Sequence, residues 1–254
     1  MRGTTLRRTV AAVVAVPVLA LSSAACSGDG GNGEEKDKGG EQQGSGGGDG
    51  GDGGGGESES ARALDKKALR AALLRTGEVK GYRVQPSKKD ALPPRNTLEA
   101  DKRECAPVSD AVDSKPEQER TAYTSGTVMK GDFSTGQSVQ QVLLAAYALG
   151  DAEKWLGDLK GALGKCREFT GKSGTGEQAR VRVEPGGSAE AGDDSVQFTM
   201  KDAKEKDAPT VFTVVRSGAN TATFMSVSLS GKAVPVAKPV VDRQLEKLES
   251  AAKG

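Results

Sequence analysis

One stretch of this chain cannot belong to a core, and it decides how the rest is read. Between Ser27 and Ser60 fall sixteen of the 35 glycines, nine acids and two lysines, with almost no apolar surface. Such a composition cannot bury enough area to offset the entropy of ordering the backbone. Residues 26–60 therefore read as a disordered, acidic, Gly-rich linker, with an r.m.s. span of roughly 30–35 Å from about 5–6 Å × √n. The run Gly46-Gly47-Gly48-Asp49-Gly50-Gly51-Asp52-Gly53 has neither the nonapeptide period nor the apolar stacking position of glycine-rich calcium repeats. The linker leaves an N-terminal segment on one side and a single domain over 61–254 on the other.

The N-terminal segment, 1–25, has the grammar of an export signal. Arg2, Arg7 and Arg8 precede an apolar run from Val10 to Leu21, and Ser22-Ser23-Ala24-Ala25 supplies small residues before Cys26. As a helix that run rises about 18 Å against a hydrocarbon core of about 30 Å, too short for a comfortable membrane span. A cysteine in this position resembles the lipobox of bacterial lipoproteins, whose thiol is diacylated before the signal is removed. The resemblance implies a lipidated Cys26, palmitate-type acylation and attachment to the extracytoplasmic face of the cell membrane. Leu21 and Ser23 depart from the usual spacing, since Leu is commonest three positions before the cysteine. Plain secretion with cleavage after Ala24 or Ala25 is the alternative, and Arg7-Arg8 leaves Sec and twin-arginine export both open.

Charge separates along the same boundaries. The signal carries +3, the linker −7 and the domain +5, which sum to the net +1 of the whole chain. No Lys/Arg block with interleaved aromatics appears, so nucleic acid is not an expected partner. The chain has no histidine. That removes Ser-His-Asp and Cys-His nucleophile systems, His-ligated zinc and imidazole pH switching. Neither a metal nor a cofactor is expected.

Within the domain the hydrophobic periodicities predict an α+β fold with a twisted, mostly antiparallel sheet flanked by helices. Leu64, Ala68, Leu69, Ala72 and Leu73 predict a helix over 62–76 that stops at Gly77. A loop rich in proline and charge is expected from there to Cys105. Strands are expected at 121–130 and 138–149, then a helix N-capped by Asp151 and running to Arg167, with Ala152, Trp155, Leu156, Leu159, Ala162, Leu163 and Cys166 on one face. Further strands are expected at 178–184, 195–201, 209–216 and 221–229, the last two joined by the turn Ser217-Gly218-Ala219-Asn220. A helix opening at Pro239 closes the chain. With Cys26 lipidated, Cys105 and Cys166 remain as a pair in an oxidising space and are expected to form a disulfide; two buried free thiols are the alternative.

The order Leu73-Leu74, Gly81-Tyr82, Glu104-Cys105-Ala106, Tyr147, Asp151-Ala152-Glu153, Cys166, Phe169, Gly192-Asp193-Asp194-Ser195-Val196, Val214-Val215-Arg216-Ser217-Gly218-Ala219-Asn220 and Gln244-Leu245-Glu246-Lys247-Leu248 resembles a known domain. It is similar to the extracytoplasmic sensor domain of actinobacterial serine/threonine kinases of the mycobacterial kinase H type, and to related domains on actinobacterial lipoproteins. The resemblance spans about 62–252. It implies a PsbP-like sheet flanked by helices, with a cleft for a small molecule or wall component. This chain departs from it in having one Cys pair where the kinase domain has two disulfides, and in lacking a kinase domain and a transmembrane helix.

Apparent chemical motifs have simpler readings. Gly171-Lys172-Ser173 lacks the upstream glycine of a phosphate loop, and Gly174-Thr175-Gly176 precedes a strand and reads as a turn. Ser250-Ala251-Ala252-Lys253 spells Ser-x-x-Lys without the companion motifs of penicillin-binding enzymes. Asp193-Asp194 reads as a turn that caps the next strand, or as a carboxylate pair for acid/base work or for a cation. Arg216, at a strand end, reads as a salt-bridge partner or as an anion contact. The expected function is non-catalytic: a ligand-binding or sensor-type domain held by lipid at the envelope, with Arg216, Asp193 and Asp194 as candidate ligand contacts. A structural or chaperone-like lipoprotein that binds an envelope protein is the alternative.

Overall fold

The computed structural model describes residues 62–88, 98–113, 116–131, 138–204, 208–228 and 230–253. All lie in one unit, Gly54–Gly254. The export signal, Cys26 and the linker fall outside the described residues.

Among the described residues nine strands form one open antiparallel sheet, six of them where the sequence patterns predict strands. They are β1 (Tyr82–Pro86), β2 (Leu98–Ala100), β3 (Ala122–Lys130), β4 (Ser138–Ala146), β5 (Glu168–Ser173), β6 (Gln178–Pro185), β7 (Asp194–Asp202), β8 (Thr210–Ser217) and β9 (Asn220–Ser228). Their spatial order is β1-β3-β4-β9-β8-β7-β6-β5-β2. Four helices flank it: α1 (Lys66–Ala72), α2 (Ala106–Asp110), α3 (Asp151–Lys165) and α4 (Lys238–Lys253).

Side chains alternate across a strand, and here both sets of the inner strands are buried. Leu144 and Ala146 of β4, Val215 of β8 and Phe224 of β9 form one core with Leu69 and Leu73 around α1 and with Val241 and Leu248 of α4. Ala145 of β4 and Phe212 and Val214 of β8 join the other core, with Trp155, Leu156 and Leu159 of α3 and Val108 of α2. Trp155 stacks on Tyr147 at 5.8 Å, and Phe198 stacks on its cross-strand partner Phe212 at 4.7 Å. In the second half of β9 it is the serine face that is enclosed: Ser226 and Ser228 are buried on the side of Phe224, while Met225 and Val227 on the other side are only half-buried.

Several boundaries differ from the sequence expectation. The first helix is one seven-residue segment instead of 62–76, because Asp65 caps it through the Ala68 N–H at 2.7 Å and Leu73 is already extended. Leu64, Leu73 and Leu74 are buried all the same. The long loop to Cys105 contains β1, β2 and a 3-10 turn, Arg103–Cys105. Tertiary pairing with β3 and β5 recruits these short edge strands from a sequence with little strand propensity. The N-cap of α3 is Gly150, in the left-handed region at φ +85°, and Asp151 is the first helical residue. β5 lies where no strand was expected, and the glycine turn after it joins it to β6, with Gly176 at φ +87°.

The Cys105–Cys166 disulfide is present, with Cα atoms 5.2 Å apart across a sequence separation of 61. Both cysteines are buried, and the bond ties the start of α2 to the residue that ends α3.

Candidate functional site

The ends of the strands define two opposite poles of the sheet. At one pole β8 turns into β9, with Ser217↔Asn220 paired, and β4 ends at Ala146 opposite Asn220. The chain enters the domain at this pole. The buried Asn220 side chain donates to the Arg62 carbonyl at 2.8 Å and accepts the Leu64 N–H at 2.9 Å.

The same pole brings together the three candidate ligand contacts read from the sequence. Gly192 makes this possible: its φ is +68°, and a Cβ there would lie 2.3 Å from the Arg216 carbonyl oxygen, so only glycine allows the approach. The Asp193 N–H donates to that carbonyl at 2.9 Å. Asp193 Oδ2 then accepts from Arg216 Nη1 at 3.2 Å and from the Gly218 N–H at 2.7 Å, while Nη1 also donates to the Gly218 carbonyl at 3.2 Å. Asp194 accepts from Lys160 of α3 and from the Ser195 N–H. Burial of Asp194 works against its ionisation, but the Lys160 hydrogen bond and the Ser195 N–H outweigh it and hold the carboxyl below its ordinary value. Lys160 stands 34 residues from Asp194 and carries no local signal that would pair them. Each carboxylate is thus engaged by a cation that the fold brings to it, and the Arg216 side chain is only 17% exposed. As built, the cluster fastens the β8–β9 turn to the start of β7 and to α3.

A groove lies at the opposite pole, where β6 begins and β7 ends. One part, about 630 Å³, is bounded by Arg180, Val181, Met200, Lys201 and Lys204. A second, about 420 Å³, is bounded by Glu99, Asp101 and Lys172. Both include Thr170 and Gln178, which makes them neighbours on β5 and β6. Arg180 pairs with Glu168 at 2.8 Å, Lys201 pairs with Glu184 at 2.8 Å, and Asp101 Oδ1 accepts the Thr170 N–H at 2.8 Å. Lys172 sits directly across from Glu99 in the register. The groove therefore offers charges of both signs beside the apolar Val181 and Met200, a surface suited to holding a polar ligand by ion pairs and hydrogen bonds. Sequence reading missed it because its members come from four strands, two of them unexpected.

Among the described residues, no group of three or more His, Cys, Asp or Glu is placed to hold a metal ion, and no helix is long and apolar enough to cross a membrane. The Ser-x-x-Lys sequence occupies the last turn of α4, where Ser250 Oγ donates to the Glu246 carbonyl at 2.7 Å.

No family model matches this chain, and no curated protein matches it either. Among solved structures, the extracellular domain of PknH from Mycobacterium tuberculosis aligns over 76% of this chain and 100% of its own length, at 10% identity and a TM-score of 0.51. The fold is similar to that of the PknH extracellular domain. A putative uncharacterized protein from Mycobacterium smegmatis, the Rv0999 ortholog, aligns over 74% of this chain and 95% of its own, at 15% identity and a TM-score of 0.30. The PknH likeness shows the α+β architecture: an antiparallel sheet with helices on both faces.

Proposed function

We propose that this chain is a lipid-anchored extracytoplasmic protein whose folded part is a non-catalytic ligand-binding or sensor-type domain. The observation that carries this reading is the alignment of the entire PknH extracellular domain onto the folded part of the chain. The export signal ahead of Cys26 supports the location, and the missing histidine supports a role without acid–base catalysis. The groove on β5 and β6 is the proposed ligand site, facing a polar small molecule or wall fragment. The Arg216–Asp193 cluster is assigned to positioning, since Arg216 Nη1 and Asp193 Oδ2 are already engaged with each other and with the Gly218 backbone.

Two measurements test the proposal separately. Metabolic labelling with a fatty-acid probe is expected to tag the chain at Cys26, and Cys26→Ala is expected to abolish the tag and release the protein from the membrane fraction. An untagged wild-type chain overturns the anchor. Saturable binding to muropeptides or to anionic lipid vesicles is expected, and is expected to weaken at least tenfold when Arg180→Glu and Lys172→Glu are combined. Crosslinking in cells to an envelope protein, with no saturable small-ligand binding, would favour a scaffold role instead.

A further inference from the structure

β1 forms one edge of the sheet, and its outward-facing N–H groups can be accounted for one by one. It pairs with β3 from Tyr82↔Lys130 to Pro86↔Gly126. Next to the strand, the Gly131 N–H donates to the Gly81 carbonyl at 3.0 Å and the Ser87 N–H to the Ser125 carbonyl at 2.9 Å. Odd-numbered residues of β1 therefore point their backbone groups at β3, and Tyr82, Val84 and Pro86 point theirs away from the sheet. None of the three leaves an N–H free. The Tyr82 N–H donates to the Val79 carbonyl at 3.1 Å, and proline has no N–H. The Val84 N–H donates to Thr76 Oγ1 at 2.9 Å, and the same hydroxyl donates back to the Val84 carbonyl at 3.1 Å.

The turn that carries Thr76 is itself fastened. Glu78 Oε2 accepts the Arg75 N–H at 2.7 Å, the Glu78 N–H donates to the Arg75 carbonyl at 3.2 Å, and Lys247 of α4 reaches both Glu78 carboxylate oxygens at 2.9 Å. α4 thereby holds a single hydroxyl against the outer edge of β1.

A bare strand edge is a template for another chain, and β1 is complementary to itself. Two copies paired antiparallel about Val84 set that residue opposite its own counterpart, with reciprocal N–H to carbonyl bonds. Arg83 then faces Gln85, so no like charges meet, and Tyr82 faces Pro86. Because Pro86 has nothing to donate, Val84 is the one residue able to exchange both bonds. We propose that Thr76 is an edge guard, and that the partner it excludes is the β1 strand of a second copy of this chain.

The test uses the full chain in detergent at a fixed detergent-to-protein ratio, followed by sedimentation from micromolar to millimolar concentration. Wild type and Thr76→Ser are expected to remain monomeric. Thr76→Val with Glu78→Ala, which removes the hydroxyl and releases the turn, is expected to dimerise with rising concentration. In Thr76→Val alone, hydrogen exchange at the Val84 amide is expected to quicken about tenfold, with the Arg83 and Gln85 amides unchanged, as loss of one hydrogen-bond partner implies. A folded double variant that stays monomeric throughout overturns the proposal, as does a wild type that dimerises. If the double variant does not fold, the exchange measurement decides: an unaltered Val84 rate refutes the guard.

Discussion

The two faces of the sheet are each covered by a pair of helices, and the pairs are fastened by opposite means. On one face Cys105–Cys166 joins α2 to α3 through a covalent bond. On the other, no covalent bond joins α4 to the end of α1, and the specific ties added to their shared apolar core are hydrogen bonds. Gln244, fully buried, accepts the Leu74 N–H at 3.0 Å and donates to the Ala72 carbonyl at 2.8 Å, while Lys247 donates to the Leu73 carbonyl at 2.7 Å. A disulfide acts largely by restricting the unfolded chain. A polar clasp acts in the folded state, and it holds only while every buried group keeps its partner.

The contrast can be broken most sharply at the disulfide. Replacing Cys105 and Cys166 with Ala is expected to cost about 4 kcal/mol, the loop-entropy value for a closed loop of this size. Denaturant titration of the oxidised protein and of the double variant measures it. Because the cross-link restrains the unfolded chain, the denaturant slope is expected to steepen as the midpoint falls.

Gln244→Leu removes both bonds to the end of α1 and strands two buried backbone groups, at an expected cost of about 2–3 kcal/mol. Amide exchange in 64–74 is expected to quicken before that of α3, which would show that the two helix pairs fail independently.

The ion pair beneath the same clasp adds a pH dependence that the disulfide lacks. Burial of Glu78 opposes its charge, but the hydrogen bonds from Lys247 and the Arg75 N–H prevail and hold its carboxyl below the ordinary value. The unfolded chain then binds that proton more tightly, so the contribution is present above the unfolded carboxylate range and is lost as pH falls through the folded value. Glu78→Gln is expected to cost about 1 kcal/mol or less at neutral pH and nothing in acid, where the two proteins should unfold at the same denaturant concentration.

The smallest effect sharpens the comparison between the long helices. α4 contains no glycine, whereas α3 carries Gly157, Gly161 and Gly164 on its exposed side, where an added Cβ meets nothing within 4 Å. Each Gly→Ala change is expected to raise stability by about 0.5–1 kcal/mol, read as an increase in melting temperature.

Sequence patterns located the elements that carry their own periodicity. The strands β7 to β9, their hairpin turn and helices α3 and α4 are legible because alternation or helical spacing persists over eight or more residues. β1, β2 and β5 are not, since each is short and becomes a strand only through a partner distant in sequence. Alternation in 221–229 located β9 but not its burial. Ser226 shares the face of Phe224 and is buried with it, while the more apolar Met225 and Val227 take the less enclosed face. At the site, the turn chemistry of Gly192-Asp193-Asp194 and the strand-end position of Arg216 were visible, while Lys160 and the groove required the sheet order to bring them together.

The Asn220 contacts have a mechanical meaning. Any tension on the chain ahead of Arg62 reaches the domain through two side-chain hydrogen bonds to Asn220, the first residue of β9, and through the buried Leu64, before it reaches the seven-residue helix. A pull from the N-terminal side would strain those two side-chain bonds at the β8–β9 turn before the backbone ladder of the sheet. Two side-chain bonds thus stand first in line and serve as a fuse for the rest of the molecule.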